Sequence, residues 1–255
     1  MKRLVKEILE ALGLYVKSME RVRFGVEWSQ DIRYLLNSTP LDLVVDVGAN
    51  VGQTVYEVLK HFPKSRIYCF EPVPSTFQKL AEQTVIFPNV FPLNMALGDQ
   101  PSTCSMTAKP CAEQNTFVFD VDVARSNNTE IIDVQIDTLD RFCASHGINQ
   151  INLLKVDTEG YEMKVLRGAE QLLSSKRIDY ILVECDFLKR SDEPHGNFVE
   201  IFNYLQLFHY NVVAFYTGGV DNLGWKWGDV LFRRVFNEEP RFFAMSPFCQ
   251  RSQKI

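Results

Sequence analysis

The chain of 255 residues carries 27 Lys and Arg against 32 Asp and Glu, a formal net charge of −5, with 46% hydrophobic and 23% charged residues. This is ordinary composition for one sizeable core, or for one core with a small appendage. It lacks the basic excess of a dominant nucleic-acid surface. No apolar run reaches the roughly 18 residues of a membrane span and no signal peptide is visible, so a cytoplasmic protein without a transmembrane segment is expected.

The elements read in chain order as follows. Residues 2–22 place Leu4, Ile8, Leu12, Tyr15 and Met19 at helical spacing, which predicts an amphipathic helix within an N-terminal helical extension, 1–38. A domain is expected over 39–240 and a tail over 241–255. LDLVVDV (41–47) predicts a strand, 52–62 a helix stopped by Pro63, and RIYCF (66–70) a second strand. PSTFQKLAEQ (74–83) predicts a helix with Pro74 in its first turn. NVFPLNMAL (89–97) contains a predicted third strand, ending before Asn94, at a sheet edge because Pro92 cannot donate to a ladder. Residues 98–134 lack helical period and read as a β insertion. TLDRFCASHG (138–147) predicts a short helix capped by Thr138, INLLKVD (151–157) a strand, and EMKVLRGAEQLLSS (162–175) one helix. DYILVEC (179–185) is a strand, NFVEIFNYLQLFHY (197–210) a helix, and NVVAFYT (211–217) and WGDVLFRRV (227–235) closing strands that pair antiparallel. Strands alternating with helices predict an α/β fold: a doubly wound, mostly parallel seven-stranded sheet.

Six cysteines, at 69, 104, 111, 143, 185 and 249, form no CxxC and no tight Cys/His cluster, which argues against structural zinc. Cys69 and Cys185 lie in apolar runs and read as buried free thiols in a reducing compartment.

DVGANVG (46–52) lies where the first strand ends, the edge at which open α/β sheets bind ligands. Counted from Gly48, a dinucleotide fingerprint requires glycine at Asn50 and Gln53, and the phosphate loop GxxxxGK[ST] is absent. A nucleoside without pyrophosphate fits better. Glu71, after the second strand, is placed to accept hydrogen bonds from ribose hydroxyls; a surface Glu capping the next helix is the other reading.

DVGANVGQ, FEPVPSTFQKL, NMALGD, IDTLDRF and LLKVDTEGYEMKVLRGAEQLL, in this order, closely resemble the FkbM-type methyltransferases, a family of the class I enzymes that use S-adenosylmethionine. The resemblance covers about 42–186, with a looser continuation to 235. It implies a Rossmann-like fold with an antiparallel last strand and S-adenosylmethionine as cofactor. It implies that Asp46, Gly48, Asn50, Gly52 and Gln53 form the first wall of the cofactor site. Glu71 and Pro72 would stand at the ribose, and Asn94, Met95 and Ala96 near the adenine. Asp46 would act indirectly, on backbone amides or on the cofactor ammonium.

Methyl transfer to an alcohol requires a base. Asp157, an acid ending a buried strand at the ligand edge, is the first candidate and also adjoins the cofactor. Glu184, ending the next strand, should sit beside it, and the two could share a proton, hold a divalent cation or bind acceptor hydroxyls. Magnesium is possible but not favoured, since two carboxylates signal metal weakly, and no metal ligand is assigned. His195, in a polar loop, is the best histidine candidate for catalysis, though a loop histidine is more often solvated. Glu159, Tyr161, Asp186 and Trp225 are expected to face the acceptor. Trp225, like Tyr216 and Trp227, could stack on an apolar or sugar ring in the 217–229 loop; packing around a turn is the simpler account.

The leading expectation is O-methylation of a hydroxyl on a sugar, glycolipid or secondary metabolite, with N-methylation open. A non-catalytic scaffold on the same fold and, less favoured, a nicotinamide-dependent oxidoreductase are the alternatives. The expected partner is a small-molecule acceptor, not nucleic acid; no oligomeric state is assigned.

Overall fold

The computed structural model describes residues 24–108, 130–187, 196–222 and 224–235. The stretch 2–22, Cys111, His195, Cys249 and the C-terminal tail lie outside the described residues. The elements are α1 (Trp28–Leu36), β1 (Leu43–Val47), α2 (Gln53–His61), β2 (Arg66–Phe70), α3 (Pro74–Thr84), β3 (Val90–Leu93), β4 (Ala96–Leu97), β5 (Ser102–Ala108), β6 (Glu130–Asp137), α4 (Leu139–Ser145), β7 (Ile151–Val156), α5 (Glu162–Arg167), α6 (Glu170–Ser174), β8 (Ile178–Asp186), α7 (Phe198–Gln206), β9 (Tyr210–Asp221) and β10 (Gly224–Arg234).

Seven strands form one sheet in the order β3-β2-β1-β7-β8-β10-β9. Pairings from β3 to β8 are parallel, and β10 runs antiparallel to both β8 and β9. The fold is the doubly wound arrangement expected of class I methyltransferases. β3 is an edge strand, as Pro92 requires. Because side chains alternate along a strand, the central strands feed two cores. Leu43, Val45, Val47, Leu154, Val156, Ile181 and Val183 point into one, and Val44, Ile67, Cys69, Leu153 and Leu182 into the other. Burial on both faces explains why β1, β7 and β8 are mostly apolar on both sets of alternating positions. Strand order reverses between β1 and β7, so their carboxyl ends frame a crevice.

The structure differs from the sequence expectation in four places. NVFPLNMAL holds a second strand beyond the expected one: β3 ends at Leu93, and β4 joins a small sheet ordered β4-β6-β5. The break follows from Asn94, whose Nδ2 donates to the carbonyls of Glu71 (2.9 Å) and Pro72 (3.0 Å) and turns the chain away. The expected helix over 162–175 is two helices. Gly168 gives its carbonyl to Asp140 N (2.9 Å), while the Asp140 carboxylate accepts from Gln171 N (2.8 Å) and Leu172 N (3.0 Å), starting α6 afresh. The stretch 217–229 is not a loop but the tip of the β9–β10 hairpin, where Trp225 pairs with Val220 and Trp227 with Gly219. Finally, α1 is a separate nine-residue helix that the pattern over 2–22 does not mark; Asp31 ties it to the sheet, accepting from Tyr216 Oη and Gly25 N at 2.8 Å each.

Thr138 caps α4 as expected, accepting from Arg141 N at 3.2 Å. Cys69, Cys104, Cys143 and Cys185 are free thiols, three of them buried. Among the described residues no helix is long and apolar enough to cross a membrane.

Candidate active site

The turn after β1 passes through Gly48, Asn50 and Gly52 at φ of 83°, 49° and 98°, the left-handed region that glycine and asparagine tolerate. A side chain on residue 48 would place its Cβ 1.7 Å from the carbonyl oxygen of Asp157, so glycine is needed for the β1 and β7 turns to touch. Gly48 N and Ala49 N donate to Phe70 O (3.0 and 2.9 Å). Glu71 completes the seam. One carboxylate oxygen accepts from Asn50 N (3.0 Å) and the other from Val73 N (2.9 Å). Burial pushes this carboxyl up to about 7 against the pull of those two bonds.

A cavity of about 570 Å³ lies over these turns. Gly48, Asn50, Gln53, Glu71, Pro72, Met95 and Ala96 line it around β1, β2 and β3, and Met106 reaches it from the small sheet. Towards β7, β8 and β10 it is lined by Lys155, Asp157, Glu159, Tyr161, Glu184, Asp186, Lys226, Trp227 and Asp229, with Trp28 from α1 and Glu57 from α2.

The acids are concentrated here. Carboxylate oxygens of Asp157, Glu159 and Glu184 lie within 4.8 Å of one another. Burial pushes Glu184 up to about 10, reinforced by the charges of Asp157, Glu159, Glu162 and Asp229. Burial also raises Asp229, against the pull of Lys155. Lys155 enters from the middle of β7 and is almost fully buried; its Nζ sits 2.8 Å from Asp157 Oδ2. Burial disfavours the ammonium, yet Asp157, Asp46 and Asp229 together hold it charged well above the usual lysine range. The trio of Asp157, Glu159 and Glu184 can share a proton or, with oxygen ligands only, accept a hard divalent cation. The sequence places two of these carboxylates as neighbours; Glu159 joins them because its own backbone is left-handed (φ 52°), followed by Gly160 at φ 105°.

That turn is fixed from below by Glu162. Its Oε1 accepts from Thr158 N (2.9 Å), Thr158 Oγ1 (2.9 Å) and Gly160 N (3.1 Å), and its Oε2 from Gly196 N (3.1 Å). Glu162 is thus the anchor of the 158–160 turn and not merely a charge at a helix start.

Of the residues expected at the site, Gly48, Asn50, Gln53, Glu71, Pro72, Met95, Ala96, Asp157, Glu159, Tyr161, Glu184 and Asp186 line the cavity. Four others lie elsewhere. Asp46 is fully buried beneath the turn, and burial raises it to about 6 against the pull of Lys155. Gly52 packs on α3: a Cβ there would lie 3.0 Å from Leu80 Cδ1. Asn94 braces the Glu71–Pro72 backbone. Trp225 sits outside, against Phe187 (ring centroids 5.8 Å) and Phe215 (6.3 Å), and Trp227 lines the cavity instead. Lys155, Asp229, Trp28, Glu57 and Lys226 escape the sequence reading. Lys155 has a signal: a charge inside an apolar strand, two residues before Asp157 and so on its face. Trp28 and Glu57 arrive from helices whose docking no local pattern announces.

Residues 46–212 match the family model of the methyltransferase FkbM domain. The chain belongs to this family. It is 30% identical to the hexuronic acid methyltransferase AglP of Haloferax volcanii over 66% of this chain and 66% of that relative, and so spans slightly under two thirds of that relative's length. It is 23% identical to the 2-O-methyltransferase NoeI of Sinorhizobium fredii over 88% of this chain and 96% of that one. A solved S-adenosylmethionine-dependent methyltransferase from Aquifex aeolicus is similar over 80% of this chain and 90% of that one, with 15% identity and a TM-score of 0.43. The residues of this FkbM-family chain fit the family's cofactor. A buried acid stands beside a glycine turn, and Met95 and Ala96 offer apolar surface. Asn50 and Gln53, which stand where a dinucleotide fingerprint has its second and third glycines, line the cavity with side chains where a pyrophosphate requires close approach of bare backbone.

Proposed function

We propose that the protein transfers the methyl group of S-adenosylmethionine to a hydroxyl of a sugar, glycolipid or secondary metabolite. One observation carries this reading: Asp157, tied to Lys155 and grouped with Glu159 and Glu184, stands in one cavity with the glycine turn and Glu71. The names of the two relatives, one acting on a hexuronic acid and one at a 2-O position, agree with an oxygen acceptor.

The cofactor supplies, when bound, a methyl on a positively charged sulfur. The chain's own residues bind, orient and handle the proton. Glu71 uses one lone pair of each oxygen on a backbone amide, leaving the others for ribose hydroxyls. Gly48, Asn50 and Gln53 form the adjoining wall. With Asp157 Oδ2 held by Lys155, Oδ1 is the oxygen that takes the acceptor's proton. An alcohol is a far weaker acid than any carboxyl, so the proton moves as the new C–O bond forms. Burial and the surrounding acids favour the protonated form of Glu184, which suits it to donate to the acceptor rather than abstract from it. His195 lies outside the described residues and keeps the standing of a candidate base.

The test is calorimetric titration with S-adenosylhomocysteine and, separately, NAD, followed by transfer of labelled methyl to hydroxyl compounds. Saturable binding of S-adenosylhomocysteine alone, with label recovered as a methyl ether, is the expected result. NAD binding alone would move the reading to hydride chemistry. Asp157→Asn is expected to bind S-adenosylhomocysteine as the wild type does and to transfer methyl about 10²–10⁴-fold more slowly, the usual worth of a general base. Wild-type turnover in a folded variant would remove Asp157 from the mechanism.

A further inference from the structure

We propose that Trp227 is the platform on which the acceptor stacks, and that the acceptor lays the apolar face of a pyranose ring on it. The proposal rests on the methyl-transfer reading above and narrows its acceptor to a saturated sugar ring.

Trp225 and Trp227 are two residues apart on β10, so in a regular strand they would share a face. The pairing with β9 breaks twice around Trp227. Trp225 pairs with Val220 and Trp227 with Gly219, which leaves Lys226 as an extra residue on β10. Gly228 then pairs with Thr217, which leaves Gly218 as an extra residue on β9. Each extra residue makes a β-bulge, a device that re-aims side chains beside active sites. The first bulge parts the two indoles: Trp225 packs on Phe187 and Phe215, and Trp227 turns to the cavity.

The second bulge sets bare backbone beneath the ring. A Cβ on residue 218 would lie 2.0 Å from Trp227 Cζ3, and one on residue 219 would lie 2.4 Å from Trp227 Nε1. Those atoms are on opposite edges of the indole, so the ring lies across the Gly218–Gly219 backbone. A larger residue at either position would lift it. Trp28 also lines the cavity but is buried, whereas Trp227 keeps 38% of its surface exposed. The backbone therefore holds one side of this indole and leaves the other open.

A supported indole with an open face binds what offers weakly positive C–H groups or another ring, since the ring face carries negative charge. The polar lining decides between them. Asp157, Glu184 and Asp229 line the same cavity, and carboxyl oxygens accept hydrogen bonds from hydroxyls. A pyranose joins an apolar C–H face to a rim of hydroxyls and so meets both surfaces. An open-chain hexitol has the hydroxyls without the face; catechol has a face but only two hydroxyls.

Two measurements decide the matter. In the first, Trp225→Phe leaves Trp28 and Trp227 as the fluorophores. Emission is followed on titration with the methyl pyranosides of glucose, galactose, mannose, rhamnose and fucose, and with glucitol and catechol. A saturable blue shift with at least one pyranoside and none with glucitol is expected, because stacking removes water from the indole. Adding Trp227→Phe is expected to abolish it. No shift with any pyranoside, a shift that survives Trp227→Phe, or a shift with catechol alone overturns the proposal without reference to cofactor or turnover. The second is methyl transfer to the same compounds. Trp227→Ala is expected to raise KM for the pyranoside about tenfold with kcat within about twofold, and Trp227→Tyr to recover most of the loss. Gly218→Ala keeps the indole but lifts it from its bed, and is expected to raise KM in the same way. Unchanged kcat/KM in Trp227→Ala, or a fall in kcat alone, in a variant that still binds S-adenosylhomocysteine, overturns the proposal. A pyranoside shift with no methyl transfer to any of the compounds would leave the platform standing and remove the methyl-transfer reading.

Discussion

Lys155 is the residue on which the site's electrostatics turn. It neutralises Asp157 directly and moderates Asp46 and Asp229. Removing one partner of a fully buried pair costs about 3–5 kcal/mol, but Asp157 keeps 33% of its side chain exposed and solvent screens part of the loss. Lys155→Met is therefore expected to lower stability by about 2–3 kcal/mol at neutral pH, read from urea denaturation. A loss well under about 1 kcal/mol would mean that the pair is not formed in solution. Glu71 joins the two readings that its position after β2 offers, though it is buried: its carboxylate sews the β1 turn to the start of α3 while facing the cavity. Glu71→Gln turns one of the two accepting oxygens into a donor aimed at a backbone N–H. Affinity for S-adenosylhomocysteine is expected to fall by about 1–3 kcal/mol, the scale of a lost charged hydrogen bond. Calorimetry showing unchanged affinity would separate Glu71 from the ribose.

At the scale of elements, the small β4-β6-β5 sheet is held to the main body through Gly98 and Gly168. A Cβ on residue 168 would lie 1.9 Å from Gly98 O, and Gly168 O in turn accepts from Asp140 N. Gly168→Ala must push apart two backbones rather than bend a side chain. A destabilisation of about 3 kcal/mol is expected, at the upper end of overpacking costs, together with a blurred break between α5 and α6. A thermal midpoint within error of the wild type would show that the contact yields freely. This junction explains why the helix over 162–175 reads as continuous: its apolar period runs on, and the interruption comes from Asp140 and Gly98, far away in sequence. The break within NVFPLNMAL is tertiary too: strand propensity continues past Leu93, but Asn94 is claimed by the Glu71 and Pro72 carbonyls.

For the whole molecule, acids raised by burial make stability depend on pH in a definite direction. Glu184 moves from an ordinary value of 4.5 to about 10 in the fold. Between those values the folded chain binds a proton that the unfolded chain has released, so stability falls as pH rises through that window. Glu71, raised to about 7, and Asp46, raised to about 6, act in the same sense over narrower windows. Glu184→Gln abolishes its share. Its melting temperature relative to the wild type is expected to climb steadily as pH is raised from near 4.5 towards about 9, read by scanning calorimetry across pH. A difference that does not change with pH would show Glu184 to be ionised in the folded protein.

The doubly wound sheet, the antiparallel closing strand, the glycine turn and the two strand-end acids that face it are legible in the residues alone. Those features rest on local periodicity and on residues whose backbone or burial demands are readable one at a time: Pro92 at an edge, Gly48 at positive φ, Asp157 ending a buried strand. Tertiary contacts were needed to bring Glu184 to Asp157 and Glu159, to set Asp229 near Lys155, and to turn Trp227 rather than Trp225 to the cavity. Each of these depends on register between strands or on helices docking across the sheet. Free energies of that kind come from contacts between residues distant in the chain, and local sequence carries no record of which partner will be opposite.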